Sequence, residues 1–241
     1  MSVNESVTEI LDPFVGEQAV VLSDLVVHIF GREQVSLTLF GRAVTEWFNP
    51  DRDAIRSVVV VPRIDLTLLR RFAEHGPRLG AQRVVAPLMM TPAYITESLD
   101  TFALELIEIV QQHVTVIGED RFSDLTFDDD DVRLQCEREL KVLAIGMRQG
   151  LLAAGGRTRS LAELEVGTAH NLLRTLRGML WLKGVTEPIP DEQIVDRIEP
   201  FVSRTLDGAR KAIAAQAPGG YDGFEALYDD VAHLGAVVNG W

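Results

Sequence analysis

Two stretches, Val35-Ser36-Leu37-Thr38-Leu39-Phe40-Gly41-Arg42-Ala43 and Asp53-Ala54-Ile55-Arg56-Ser57-Val58-Val59-Val60-Val61-Pro62, decide how this chain folds. The first is a run of apolar and β-branched side chains that stops at a glycine, which reads as a strand over 35–40 entering a tight turn. The second, 55–61, holds an unbroken valine run. That marks a strand covered on both faces, and Pro62 stops it by withholding the next ladder donor. Trp47-Phe48 lies in the connection between them. Packing against the domain's own helix is its first reading; plugging a pocket, stacking a base or binding a partner are the alternatives.

Working outward, Asp12-Pro13 has the cap and first-turn chemistry of a helix start, and Phe14, Val21, Leu25 and Ile29 follow at helical spacing up to Gly31. Downstream, 65–75 reads as a short helix ended by Gly76-Pro77. Residues 83–90 read as a strand that Pro87 confines to an edge or a bend. Thr91-Pro92 opens another short helix to about Asp100, and 102–110 and 113–117 read as two further strands.

The pattern changes near residue 128. Asp128 to Asp131 are four consecutive acids, placed to cap a helix whose free amides and dipole favour negative charge. Helical periodicity then dominates, with apolar stripes over 128–152, 160–183, 190–213 and from Phe224 to Val238. Gly155-Gly156, Gly184 and Pro218-Gly219-Gly220 separate them, and short connections between long helices predict antiparallel neighbours in a bundle. Pro200 is expected to kink or split the third helix near Glu199. The expected fold is therefore α+β: a mixed sheet with flanking helices in residues 1–127, then an all-α bundle in 128–241.

The chain has 241 residues and a net charge of −13, with 46% apolar and 24% charged residues. These values suit a globular protein with a substantial core, and the charge disfavours nucleic acid as a partner. The start Met1-Ser2-Val3-Asn4-Glu5 lacks the basic and apolar regions of a signal peptide, and no apolar run approaches the length needed to span a bilayer, so a cytoplasmic protein without membrane partners is expected. Cys136, the one cysteine, falls among Leu140, Leu143 and Met147 at helical spacing and is read as a buried small side chain. The histidines show no metal-ligand spacing.

The glycine-ended strand, the connection and the apolar second strand resemble the signature of the nucleotidyltransferase superfamily, which includes kanamycin nucleotidyltransferase and the minimal nucleotidyltransferases. Later segments, Pro87 to Pro92, Glu97 to Asp100, Phe102 to Ile109, Val116 to Asp120 and Arg133 to Leu140, are similar to a bacterial subgroup of that family, so the resemblance runs over nearly the whole chain. It implies a Gly-Ser turn that admits the nucleotide phosphates and an Asp-x-Asp or Asp-x-Glu pair that chelates magnesium. Here Gly41 matches the glycine, Arg42 stands at the serine, and Ala54 and Arg56 stand at the two acids. Alanine has no ligand oxygen, and arginine puts a fixed cation where a divalent metal belongs.

The resemblance also implies a third acid on a later strand, for which Glu105 and Glu108 are the candidates; on a strand they would face opposite sides. Either could pair with Arg56, turning a metal site into an ion pair. The expectation is a catalytically inactive nucleotidyltransferase-like protein, without a cofactor, that binds a nucleotide or a protein partner or serves a structural role, with a homodimer as one form. Gly41, Arg42 and Arg56 are the nucleotide-binding candidates, since guanidinium groups grip phosphate bidentately. The alternative is an active magnesium-dependent nucleotidyltransferase acting on a small molecule or protein, using Asp51 and Asp53 in a shifted register. A third possibility is a module whose cleft its own side chains fill. The helical half lacks the Arg-to-His spacing of the ribonuclease partners of minimal nucleotidyltransferases, so nuclease activity is not expected.

Overall fold

The computed structural model describes residues 10–31, 35–155, 157–214 and 220–241. The expected features at Met1 to Glu5, Gly156 and Pro218-Gly219 lie outside them. The chain divides into two compact units, Met1–Leu99 with Glu108–Thr126, and Asp100–Ile107 with Phe127–Trp241. This differs from the single division expected at 127/128, because residues 100–107 and Phe127 group with the later helices.

In the first unit, helix α1 (Pro13–Phe30) starts where Asp12 Oδ1 accepts the Phe14 N–H at 2.9 Å. Strands β1 (Ser36–Phe40), β2 (Arg56–Val60), β3 (Leu88–Met90) and β4 (His113–Ile117) form one mixed sheet in the order β3-β2-β1-β4. β1 is antiparallel to both β2 and β4, and β2 is parallel to β3. All five residues of β1 and the valines of β2 are buried, as a continuous apolar run requires. Leu37, Leu39 and Val59 pack with Val15, Ala19, Leu22 and Val26 of α1 in one core. By length and a mean hydropathy of 1.3, α1 could cross a membrane, which corrects the reading that no apolar run approaches that length; 44% of the helix is buried. A core helix of a globular domain meets the same two criteria.

Three segments before residue 128 differ from the sequence expectation. Of 83–90, only Leu88–Met90 is strand, and Val84 makes an isolated bridge to Ile55. Gly76-Pro77 does not simply end a helix: after α2 (Leu66–Ala73) it begins α3 (Gly76–Ala81), proline being well suited to the first helical turn. After α4 (Pro92–Glu97), residues 102–110 are not a strand but helix α5 (Ala103–Gln111). The Leu-Glu-Leu-Ile-Glu-Ile alternation mimics period two. Ala103, Leu104, Leu106, Ile107 and Ile109 are nonetheless all buried, which a helix closed in on most sides also achieves.

The second unit holds α6 (Asp129–Ala154), α7 (Thr158–Trp181), α8 (Ile194–Val202), α9 (Asp207–Ile213) and α10 (Gly220–Val238). Asp128 caps α6 by accepting from Asp130 N at 2.8 Å. Leu140, Met147, Leu172, Leu176, Ile198, Leu227 and Leu234 share one core. The expected third helix is in pieces, but the break is not at Glu199. α8 continues past Pro200 and ends at Ser203, whose φ of 53° is left-handed. Glu199 accepts the Leu206 N–H at 2.8 Å, which helps start α9.

Candidate functional site

Of the candidate site residues, Gly41, Arg42, Asp51, Asp53, Ala54, Arg56 and Glu108 lie in the sheet unit and Glu105 in the helical one. Phe40 and Arg56 are direct partners in the β1–β2 register. Gly41 follows with φ 73°, a conformation that favours glycine, and opens a 3-10 turn over Gly41–Val44. Its N–H donates to Gln112 O at 2.9 Å, which ties the turn to the residue before β4.

The Arg56 guanidinium lies across this corner. Its Cζ is 4.4 Å from the Phe40 ring centroid, and Nη1 would be 3.8 Å from a Cβ placed on Gly41. Glu108 of α5 takes it in a two-pronged ion pair, Nη1 to Oε1 and Nη2 to Oε2, the latter at 3.1 Å. The side chains are 37% and 14% exposed, so the carboxylate is the more desolvated partner and depends on the cation.

A second pair stands beside it. Arg42 Nε donates to Asp53 Oδ2 at 3.1 Å and Arg42 Nη2 to Trp47 O at 3.0 Å, while Asn49 N donates to the same Asp53 oxygen at 2.9 Å. The connection between β1 and β2 is thereby fastened from inside. Phe48 stacks on Phe14 of α1, with centroids 6.4 Å apart, and packs against the unit's core.

These partners decide what the acids can hold. Asp53 is committed to Arg42 and the Asn49 amide, Asp51 is exposed on the loop, and Ala54 brings no oxygen. Among the described residues no cluster of three or more histidine, cysteine or acidic side chains could hold a metal ion. The residues present do not fit a magnesium site, which needs converging hard oxygens.

Glu105 and Glu108 sit one turn apart on a helix, not on opposite faces of a strand. Glu108 meets Arg56, whereas Glu105 accepts from Arg174 of α7 at 2.6 Å within the helical unit. The ion pair left open between two glutamates is thus made by Glu108.

No protein-family model matches this chain, and no curated protein matches it.

Sequence reasoning missed one further polar cluster in this unit. His113 Nδ1 faces Ile109 O at 2.9 Å, and Nε2 lies 3.2 Å from both Asp120 oxygens and 3.3 Å from Ser123 Oγ. Ser123 Oγ donates to Asp120 at 2.5 Å, and Phe122 N donates to it at 2.9 Å. Burial pushes the Asp120 carboxyl upward, but hydrogen bonds from Ser123, Phe122 and His113 outweigh it and bring the pKa down to about 2. The Ser and the Asp share one ring nitrogen, so this is not the relay of a serine nucleophile, in which they occupy opposite nitrogens. It fastens the turn after β4. The local signal was Asp120-x-x-Ser123, a carboxylate placed to accept from the amides that follow it.

Proposed function

We propose that the protein is a catalytically inactive, nucleotidyltransferase-like protein of the cytoplasm, whose former metal corner is closed by internal ion pairs and which acts by binding or as a structural component. The observation that carries this reading is the two-pronged Arg56–Glu108 pair lying over Phe40 and Gly41. A guanidinium fixed where the resemblance calls for a metal-binding acid, with the candidate third acid as its partner, leaves no charge for a divalent cation to balance. The mixed sheet entered through a glycine-ended strand, followed by helices, is consistent with the resemblance. Arg42 and Arg56 each already hold a carboxylate, so a phosphate would have to displace Asp53 or Glu108. This favours a protein-binding or structural role over nucleotide binding.

The test is calorimetry of the full chain with ATP and with GTP, each with and without magnesium. No magnesium-dependent binding is expected. Tight binding that requires magnesium would overturn the inactive reading and point to Asp51 and Asp53.

A further inference from the structure

A cavity of about 610 Å³ opens in the sheet unit among α2, α3 and the segment 83–89. Its size lies within the range that holds small molecules, roughly 300–1,000 Å³. The wall is apolar, with Leu69, Phe72, Leu79, Val84 and Met89 around it and Ala54 at one side. Such a wall offers no hydrogen bonds to a polar body, so the body of any occupant is apolar.

Among the described residues, the one charged residue lining the cavity is Arg83. It is exposed, and no carboxylate among the described residues pairs with it. Its backbone is left-handed, with φ 58°, a conformation that suits glycine and strains arginine. The strain is held in place: Arg83 N–H donates to Gly80 O at 3.0 Å, and its carbonyl accepts from Ile55 N at 2.8 Å. A large side chain at a backbone position that favours glycine is a pointer to function. The surrounding sequence adds to the local charge, with Arg63, Arg70, Arg71, Arg78 and Arg83 set against Asp65 and Glu74, in a chain whose net charge is −13. A local cation beside an apolar cavity selects an occupant with one anionic end.

We propose that this cavity binds an apolar monoanion, an acyl or aryl carboxylate whose hydrocarbon body fills the cavity and whose carboxylate meets Arg83. The proposal does not depend on the inactive-nucleotidyltransferase reading.

Decanoate and decanol, each titrated into the full chain below its aggregation concentration, test it by calorimetry. Decanoate is expected to bind about tenfold tighter than decanol, the scale of one charge-assisted hydrogen-bond contact. Arg83→Gly, which suits the backbone, is expected to bring the two within about twofold while decanol still binds. Ala73→Trp, which fills the cavity, is expected to remove both. Equal affinity for the two ligands, an unchanged preference in Arg83→Gly, binding that survives Ala73→Trp, or no binding at all would each overturn the proposal. So would a dimer whose formation abolishes decanoate binding, since the cavity would then belong to a second copy. If Ala73→Trp fails to fold by circular dichroism, the Arg83→Gly comparison decides alone.

Discussion

Phe40 and Arg56 face each other across the β1–β2 ladder, with the guanidinium carbon 4.4 Å from the ring centroid and Glu108 closing the far side. The arginine is thus held by an aromatic face and a carboxylate at once. Each contact limits the freedom the other would otherwise have to restrict.

Removing either member of this pair has unequal consequences. Arg56→Ala leaves the mostly buried Glu108 without its cation and is expected to cost about 1–3 kcal/mol in urea unfolding. Glu108→Ala leaves a half-exposed arginine that water can serve and is expected to cost less. A double-mutant cycle with a coupling below about 0.3 kcal/mol would refute the pairing as a stabilising element.

Two carboxylates act in opposite directions on the acid side. Asp120 has its pKa lowered from 3.8 to about 2, so its contribution is fully present above about pH 4 and is lost as the pH falls towards 2. Asp230 is raised, chiefly by burial, with its hydrogen bond from Ala209 N and its contact with Arg204 only partly compensating. Its contribution is therefore full below about pH 4 and declines as the pH rises through its folded value. In thermal unfolding followed from pH 5 to pH 2, Asp120→Asn should flatten the loss of stability, whereas Asp230→Asn should steepen it. The same slope in both variants would contradict the assignment.

Cys136 is fully buried beside Gly178, and burial, with Glu139 adding to it, pushes its thiol up to about 12. A disulfide reagent at pH 8 should leave the native protein unlabelled and modify it only after urea unfolding. Prompt labelling of the folded chain would show that the thiol is accessible.

Two helical glycines should respond to alanine with opposite signs. A Cβ on Gly208 would lie 2.3 Å from Ala226 C and 2.4 Å from Leu227 N, both main-chain atoms of α10. Backbone cannot step aside as a side chain does, so Gly208→Ala should cost about 3 kcal/mol or prevent folding. Gly146, in mid-α6, has nothing within 4 Å of that point, and Gly146→Ala should stabilise by about 0.5–1 kcal/mol. Equal shifts in melting temperature would show that the close approach of α9 to α10 is absent.

The sequence was most legible where one physical signal stood alone. The valine run before Pro62, the Asp12-Pro13 and Asp128 caps and the stripes over 128–152 and 160–183 each permit one reading, and each lies where that reading puts it, whereas the stripe over 190–213 is divided between α8 and α9. Residues 102–110 carry two periodicities at once, and only tertiary burial chooses between them. The same ambiguity extends to the site: a strand would put Glu105 and Glu108 on opposite faces, whereas in helix α5 they reach Arg174 and Arg56. The carboxylate partners of Arg42 and Arg56 lie 11 and 52 residues away in sequence, and a distance of that second kind has no local signature. The Gly76-Pro77 helix start and the left-handed Arg83 are invisible to hydrophobic pattern, since both are set by backbone torsion.

Pro87 sets a boundary of a different sort. It directly precedes β3, which is three residues long and forms one edge of the sheet, with Leu88 partly exposed on it. A longer apolar edge would offer a row of unmet amides and carbonyls to any extended chain that drifted past, the first step towards fibrous aggregation. Proline contributes no amide at that point and keeps the pairing strip short. One imino acid at a strand's threshold thus guards against self-association, and Pro87→Val should lengthen the strip and make the protein prone to self-templated sheet growth.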